Sequence, residues 1–296
     1  MAKLFLGTRE VTPTIYDHKA GYSEIPAYKV TNGVASRRGG ALTGNEFSDI
    51  TSIDEQAMWY LCYRDAGLTG TVNFSSLTSI GKNGLTYAFN YCTGITGVNL
   101  PSLTTVGEGG LSETFAFCSS LTGALDLSLL TNIPRSGLNR AFIGTGLTSV
   151  NLSSLATVGV QGLYYAFGSC FSLTSVNLSS LVSVDYNALS YAFYHCEGLT
   201  SISFPSLNSI GDSGLSSAFQ YCTGLTDIYF NALKTTSFGN YTSQFNNMMS
   251  YTGKKKNHTL HFPSNLSSTI TGLTGYPNFG GTSGYVTLAF DLPATS

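Results

Sequence analysis

The stretch TGLTSVNLSSLATVGVQGLYYAFGSC, residues 145–170, decides the fold because it recurs; residues 197–222 read EGLTSISFPSLNSIGDSGLSSAFQYC, with apolar side chains in the same places. The cysteines give the period: Cys92, Cys118, Cys170, Cys196 and Cys222 lie 26, 52, 26 and 26 residues apart, so one unit has lost its cysteine. Self-similarity at such a period is the mark of a solenoid, in which each repeat is one coil stacked on its neighbours.

Working outward, the apolar columns hold through about seven units. One runs Leu68, Ile95, Leu121, Leu147, Leu173, Leu199 and Leu225; another Val72, Val98, Leu125, Val150, Val176, Ile202 and Ile228; a third Phe74, Leu100, Leu127, Leu152, Leu178, Phe204 and Phe230. Keeping these in step requires single insertions in GLTGTVNF and LTGALDL. A phenylalanine column runs Phe89, Phe115, Phe142, Phe167, Phe193, Phe219 and Phe245. In TSVNL the apolar residues sit two apart, which is a short strand with one face inward. In GLxxAFxxC they sit three or four apart, which predicts one or two helical turns. Each coil then reads as strand, turn, short helix and return, and stacking puts the strands in one parallel sheet.

The pattern LxxVxLxxLxxVxxxxLxxAFxxC resembles the BspA-like branch of leucine-rich repeats, marked by its AFxxC segment, over roughly two thirds of the chain. That resemblance implies an α/β fold: a leucine-rich repeat solenoid of about seven 26-residue coils, with a parallel β-sheet on one face, short helices or turns on the other, and a cap at each end. The pattern is one residue short at AFIGTGL (residues 141–147), and Met248 stands where the last cysteine is expected. The expected division is residues 1–45 as an N-terminal docking and capping segment, 46–248 as the solenoid, and 249–296 as a C-terminal cap.

The non-repetitive start contains Asn32-Gly33, a hairpin-turn dipeptide, and FSDITSIDEQAMWYLC (residues 47–62) imitates the second half of a coil, with Trp59 in the phenylalanine column. At the far end HTLHF (residues 258–262) repeats the strand pattern and YVTLAF (residues 285–290) adds another alternating strand. The opening KLFLGTREVTP resembles the start of bacteriophage virion proteins, and residues 258–296 resemble the closing segment of repeat proteins encoded among phage and prophage tail genes.

Charge is scarce where the repeats are. The 296 residues carry 14 basic and 16 acidic side chains; 15 of these precede Ala66, and only ten lie between Ala66 and Leu233. Nothing offers an electrostatic grip on nucleic acid or an anionic membrane, and no stretch is long and apolar enough to span a bilayer or to serve as a secretory signal. The five column cysteines read as buried thiols serving as small apolar residues, with disulfides between neighbouring coils as the alternative.

Several constellations carry no chemistry. GDSG at Gly211 resembles a serine-protease nucleophile segment, yet the same slot reads GKNG at Gly81, GEGG at Gly107 and GVQG at Gly159, which is a recurring turn. His195 beside Cys196 occupies a slot held elsewhere by Tyr91, Phe117 and Tyr221, and reads as a surface histidine. TGKKKNH (residues 252–258) lacks the upstream glycine of a phosphate loop, and LPATS at the end lacks the glycine and apolar tail of a sortase signal. Asn73, Asn151, Asn177, Asn240, Asn257 and Asn265 open glycosylation sequons, of which the first three are one repeat column. Cysteines 26 residues apart without a CxxC pair lack zinc spacing, and no calcium loop is present. The expectation is therefore no enzyme, no catalytic residue, no cofactor and no metal.

Two polar columns remain as candidate binding faces. On the strand side Asn73, Asn99, Asp126, Asn151, Asn177, Ser203, Asp227 and Tyr229 point outward, either as a self-bonded ladder or as a recognition strip. On the other side Tyr87, Tyr91, Tyr165, Tyr191 and Tyr221 form an aromatic row, whose residue type suits adaptable contact surfaces. These features and the terminal resemblances predict a virion protein, tail- or fibre-associated. Its N-terminal segment would dock to other virion proteins and its solenoid would meet a host surface protein or glycan, without membrane insertion, as a homo-oligomer that by analogy with fibres is a trimer. The alternative is a BspA-like adhesin on a bacterial cell surface.

Overall fold

The structure is a computed structural model that describes residues 4–6, 9–11, 28–31, 34–37, 44, 47–234, 245, 247–249, 258–271 and 286–295. The chain opens with β1 (Leu4–Leu6), β2 (Arg9–Val11), β3 (Tyr28–Thr31), β4 (Val34–Arg37) and β5 (Ile50–Ile53). Each coil then gives a longer and a shorter strand: β6 (Gly70–Asn73) and β7 (Ser79–Ile80), β8 (Ile95–Asn99) and β9 (Thr105–Val106), β10 (Thr122–Asp126) and β11 (Asn132–Ile133), β12 (Gly146–Asn151) and β13 (Thr157–Val158). The series continues with β14 (Ser175–Asn177) and β15 (Ser183–Val184), β16 (Ser201–Ser203) and β17 (Ser209–Ile210), and then β18 (Asp227–Tyr229). The end is built from β19 (His258–Pro263), a 3-10 turn (Ser264–Leu266), α1 (Ser267–Thr271) and β20 (Val286–Leu292). The result is a parallel-strand solenoid of about eight turns.

Equivalent strands pair in parallel and in the register of the repeat: Val150 opposite Val176, Ile202 opposite Ile228, and Ile228 opposite Leu260. The two inferred insertions appear as bulges, with register shifts at Gly70/Thr71 and Gly123/Ala124. At each shift the glycine takes a positive φ, 79° at Gly70 and 84° at Gly123, a conformation glycine adopts without strain. HTLHF does form a further strand, β19 on β18, and β20 lies parallel to β19. At the other end β1 pairs antiparallel with β5 and with β2. The hairpin expected around Asn32-Gly33 is β3 paired with β4, although those two residues lie outside the described set, as does the lysine loop 252–257.

The second half of the coil departs from the helical expectation: its residues form successive turns. In the coil at 159–170, alternate amides donate within the coil, Tyr164 to the carbonyl of Gln161 at 3.2 Å and Ala166 to that of Leu163 at 3.0 Å. The amides between them donate to the next coil, Leu163 to Ala188 at 2.9 Å, Tyr165 to Ser190 at 3.1 Å and Phe167 to Ala192 at 2.9 Å. Every fourth residue is left-handed: Gln161, Tyr165 and Ser169 have φ of 55°, 52° and 58°, and Asn187, Tyr191 and His195 repeat the pattern. The physical reason is the rise per coil. Strands on the other side stack at about 4.8 Å, whereas an α-helix with its side chains is about 10–12 Å across. Only a backbone that shares its hydrogen bonds with the coils above and below can keep pace with the strands.

The core lies between the two sides. Phe89, Phe115, Phe142, Phe167, Phe193 and Phe219 are fully buried and form one stack, with ring centroids 5.2 to 5.9 Å apart and planes 5 to 12° from parallel. The amide pairing corrects three placements. Cys62, whose amide donates to Ala88, holds the phenylalanine slot of the first turn, and Trp59 is an exposed residue outside it. Phe219 donates to Met248, which puts Met248 in the alanine column and Met249 in the phenylalanine slot, so Met248 is not the cysteine's replacement. Phe245, one helical-looking turn earlier, falls in the leucine column of Leu215 and packs instead on Phe230 and Phe262.

The glycine slot explains GDSG. A Cβ on Gly211 would lie 2.7 Å from the backbone of Asp185, and on Gly107 2.7 Å from that of Gly81. Consecutive coils touch there backbone to backbone, which leaves no room for a Cβ at Gly107 or Gly211.

Candidate functional site

The strand strip is largely committed to the fold. Asn99 donates its amide to Asn73 Oδ1 at 3.0 Å and Asn151 to Asp126 Oδ1 at 3.1 Å, so the ladder forms in pairs. The acceptor oxygens of Asp126, Asn151 and Asn177 also take the amides of Ser128, Ser153 and Ser179 at 3.0, 3.3 and 3.1 Å. Each thereby closes the corner after its strand, a side-chain turn that Asx residues favour. Ser203 is exposed and pairs in register with Tyr229.

At its carboxy end the strip gains residues that the repeat columns did not single out. His261 on β19 stacks on Tyr229, with centroids 4.3 Å apart and planes 12° from parallel. Its Nε2 is 3.2 Å from Asp227 Oδ1, and its Nδ1 is 2.9 Å from Asp291 Oδ2. Asp227 is held below the usual carboxylate range, first by the Thr226 hydroxyl and then by His261. Aligning HTLHF on DIYF places His261 in the outward column of Tyr229, so half of this cluster was readable; Asp291 was not, because it lies where the β19–β20 register shifts, between Ala289 and Leu292.

The turn face carries the aromatic row, and every member sits at positive φ: Tyr87 58°, Tyr91 58°, Tyr165 52°, Tyr191 57° and Tyr221 64°. The left-handed backbone costs about 1–3 kcal/mol at a residue with a side chain, and ring stacking across coils offsets part of it. Tyr60 stacks on Tyr87 at 4.7 Å, Tyr91 on Phe117 at 4.7 Å, Tyr165 on Tyr191 at 4.4 Å and His195 on Tyr221 at 4.4 Å.

The row is interrupted, and the interruption is polar. Between Tyr87 and Tyr165 the column holds Glu113 and Arg140. The Tyr87 hydroxyl donates to Glu113 Oε1 at 3.0 Å, Arg140 lies 3.8 Å from the same oxygen, and the Arg140 guanidinium covers Tyr165 at 5.4 Å. The coupling is visible in the phenols. Burial, then the Glu113 bond, pushes Tyr87 up to about 12; burial, then its tyrosine neighbours, pushes Tyr165 up to about 12. Two aromatic groups thus flank one ion pair. The first contains Trp59, Tyr60, Tyr63, Tyr87, Tyr91 and Phe117, with Arg64 over Tyr91 at 5.1 Å; the second contains Tyr164, Tyr165, Tyr191, Tyr194, His195 and Tyr221. Trp59, Tyr91 and Phe117 in the first group and Phe171 beside the second are exposed.

The cysteines are buried free thiols. Those of the column donate to the carbonyl one coil back, Cys118 to Phe89 at 3.1 Å and Cys196 to Phe167 at 3.1 Å, and burial pushes Cys118 and Cys222 up to about 12. A thiol so raised is protonated and inert as a nucleophile. In the coil without a cysteine, Thr145 donates to Phe142 at 2.9 Å. His195 is partly exposed and lies 3.4 Å from Glu197. Among the described residues no group of three or more His, Cys, Asp or Glu could hold a metal ion, and no helix is long and apolar enough to cross a membrane.

Comparison with known proteins places this geometry. Six copies of the BspA type leucine rich repeat region match residues 60–160 and 138–266. Among solved structures, a leucine-rich repeat protein from Bacteroides ovatus ATCC 8483 is similar over 81% of this chain and 78% of that one, at 17% identity and a TM-score of 0.39. The pneumococcal vaccine antigen PcpA is similar over 84% of this chain and 72% of its own, at 14% identity and a TM-score of 0.29. No curated protein sequence matches the chain significantly.

Proposed function

We propose, from the premise that the chain belongs to the BspA-type leucine-rich repeat family, that it is a non-enzymatic attachment protein whose turn face meets a host surface protein or glycan. One observation carries this: on the strand face Asp126, Asn151 and Asn177 use side-chain oxygens to close the coil, while the turn face leaves Trp59, Tyr91, Phe117 and Phe171 exposed around rings already fixed by stacking. Rigid aromatic side chains supply contact area at little cost in conformational entropy, and interface hot spots favour Trp, Tyr and Arg. Arg64 and Arg140 sit among those rings.

The carrier in this reading is a phage particle, where the protein is tail- or fibre-associated and docks to other virion proteins through residues 1–45. The support is the resemblance of KLFLGTREVTP and of residues 258–296 to virion segments. The alternative is a bacterial cell surface. Binding of the purified chain to arrayed glycans and matrix proteins, compared with a Trp59→Ser, Tyr91→Ser, Phe117→Ser variant, tests the attachment face; equal binding by both removes it. Mass spectrometry of purified particles tests the carrier, and absence from them at any fixed copy number overturns the virion reading.

A further inference from the structure

The last three strands of the longer sheet are joined by one imidazole. His261 is only 14% exposed at its side chain, and each ring nitrogen faces a carboxylate: Nδ1 is 3.0 and 2.9 Å from the two oxygens of Asp291 on β20, and Nε2 is 3.2 Å from Asp227 on β18. Tyr229 of β18 covers one face of the ring. These are the titratable groups that face it from both neighbouring strands. The other histidine of β19, His258, is bonded to the backbone of Leu225, and the 3-10 turn and α1 carry no charged side chain.

A neutral imidazole has one N–H and one lone pair, and ionised carboxylates accept only. Two carboxylates on opposite nitrogens are therefore both satisfied only by the imidazolium; a neutral ring would turn a lone pair toward one of them. What the ring holds is the end of the stack. β20 has β19 as its paired strand, and its Val286, Leu288 and Phe290 are only partly buried against the core that Leu260 and Phe262 close. Beyond the strand pairing, the described side-chain ties on this segment are the Phe290 ring stacked on Phe262 at 5.9 Å, the Asp291–His261 contact and the Asn265 and Leu233 bonds to Thr295.

We propose that His261 is a pH-operated latch: as an imidazolium it ties β20 to β18 and β19, and on losing its proton it lets the terminal strand loosen from the apolar end of the solenoid. The sign follows from the charges. The tie is complete where the ring is protonated and is lost when the ring gives up its proton. It is also lost in strong acid, when the carboxylates protonate; because Asp227 is held low, that side yields later than an ordinary aspartate would.

Amide hydrogen exchange of the full chain, read by mass spectrometry as protection factors for residues 286–295, tests this at about pH 5.5 and about pH 8. The expected result is a fall in protection of about ten-fold or more at the higher pH, with β12 and β14 unchanged. His261→Gln, which keeps a donor but cannot charge, flattens the pH response, and Asp291→Asn shows the loosened level at both pH values. Equal protection of the wild type at both pH values, or an undiminished response in His261→Gln, overturns the proposal. Should the variants not fold, ring nitrogen shifts of His261 in the wild type decide it. The β20 amides must titrate together with them, and independence of the two sinks the latch.

Discussion

The two sides of one coil solve the same problem with different backbones. On the strand side, residues 149–151 are extended and pair with 175–177; on the turn side, residues 161–169 pair with the next coil just as regularly, but only through alternate amides, with a left-handed residue at every fourth position. The comparison teaches that the rise between coils, not local propensity, dictates both. A chain stacked at strand spacing must send about half its amides outward to its neighbours, and the turn side does so without being a strand.

The largest effect should come from what lies between the sides. Phe142 is in the middle of the ring stack, fully buried, and Phe142→Ala should cost about 3–5 kcal/mol in denaturant unfolding. Val150→Ala on the strand side should cost less, since it removes two methyl groups and no stack. Equal losses would show that the stack does not dominate the core. The turn side should next show its own chemistry in alkali. Tyr87 and Tyr165 are raised in the fold, so the folded state is disfavoured as pH climbs from the ordinary tyrosine range toward about 12; stability is full below that range and lost through it. Spectrophotometric titration should find late-ionising phenols, and Glu113→Gln should bring one of them down. In the native state the thiols should resist a disulfide reagent until unfolding, because burial raises them; prompt labelling of any column cysteine would break the equivalence of coils.

The smallest effect is the sharpest in sign. Gln161 is left-handed with φ 55°, so Gln161→Gly should stabilise by up to about 1 kcal/mol. In a helix the same change would destabilise by about 0.5–1 kcal/mol.

Much of the solenoid was legible because strand alternation and column identity are both one-dimensional signals. The two insertions coincide with register shifts beside the positive-φ glycines Gly70 and Gly123, and HTLHF announced β19. The turn side was misread as helical because spacings of three and four fit a helix and also fit turns that advance two residues at a time. What separates them is the stacking rise, which a single coil does not display. Trp59, Phe245 and Met248 were misplaced for a related reason: the first and last turns are offset from their neighbours by 27 and 30 residues in the amide pairing (Tyr60 to Tyr87, Phe219 to Met249), and only that pairing reveals it. The aromatic row was legible by column, but its polar interruption became a site only when Glu113 and Arg140 were seen to touch Tyr87 and Tyr165.

The most direct test of the stacked-turn account is through-hydrogen-bond scalar coupling by NMR at the Leu163 amide. The account predicts coupling to the carbonyl of Ala188 in the next coil, where the donor–acceptor distance is 2.9 Å; coupling to Gly159 within its own coil would mean a helix and would contradict it.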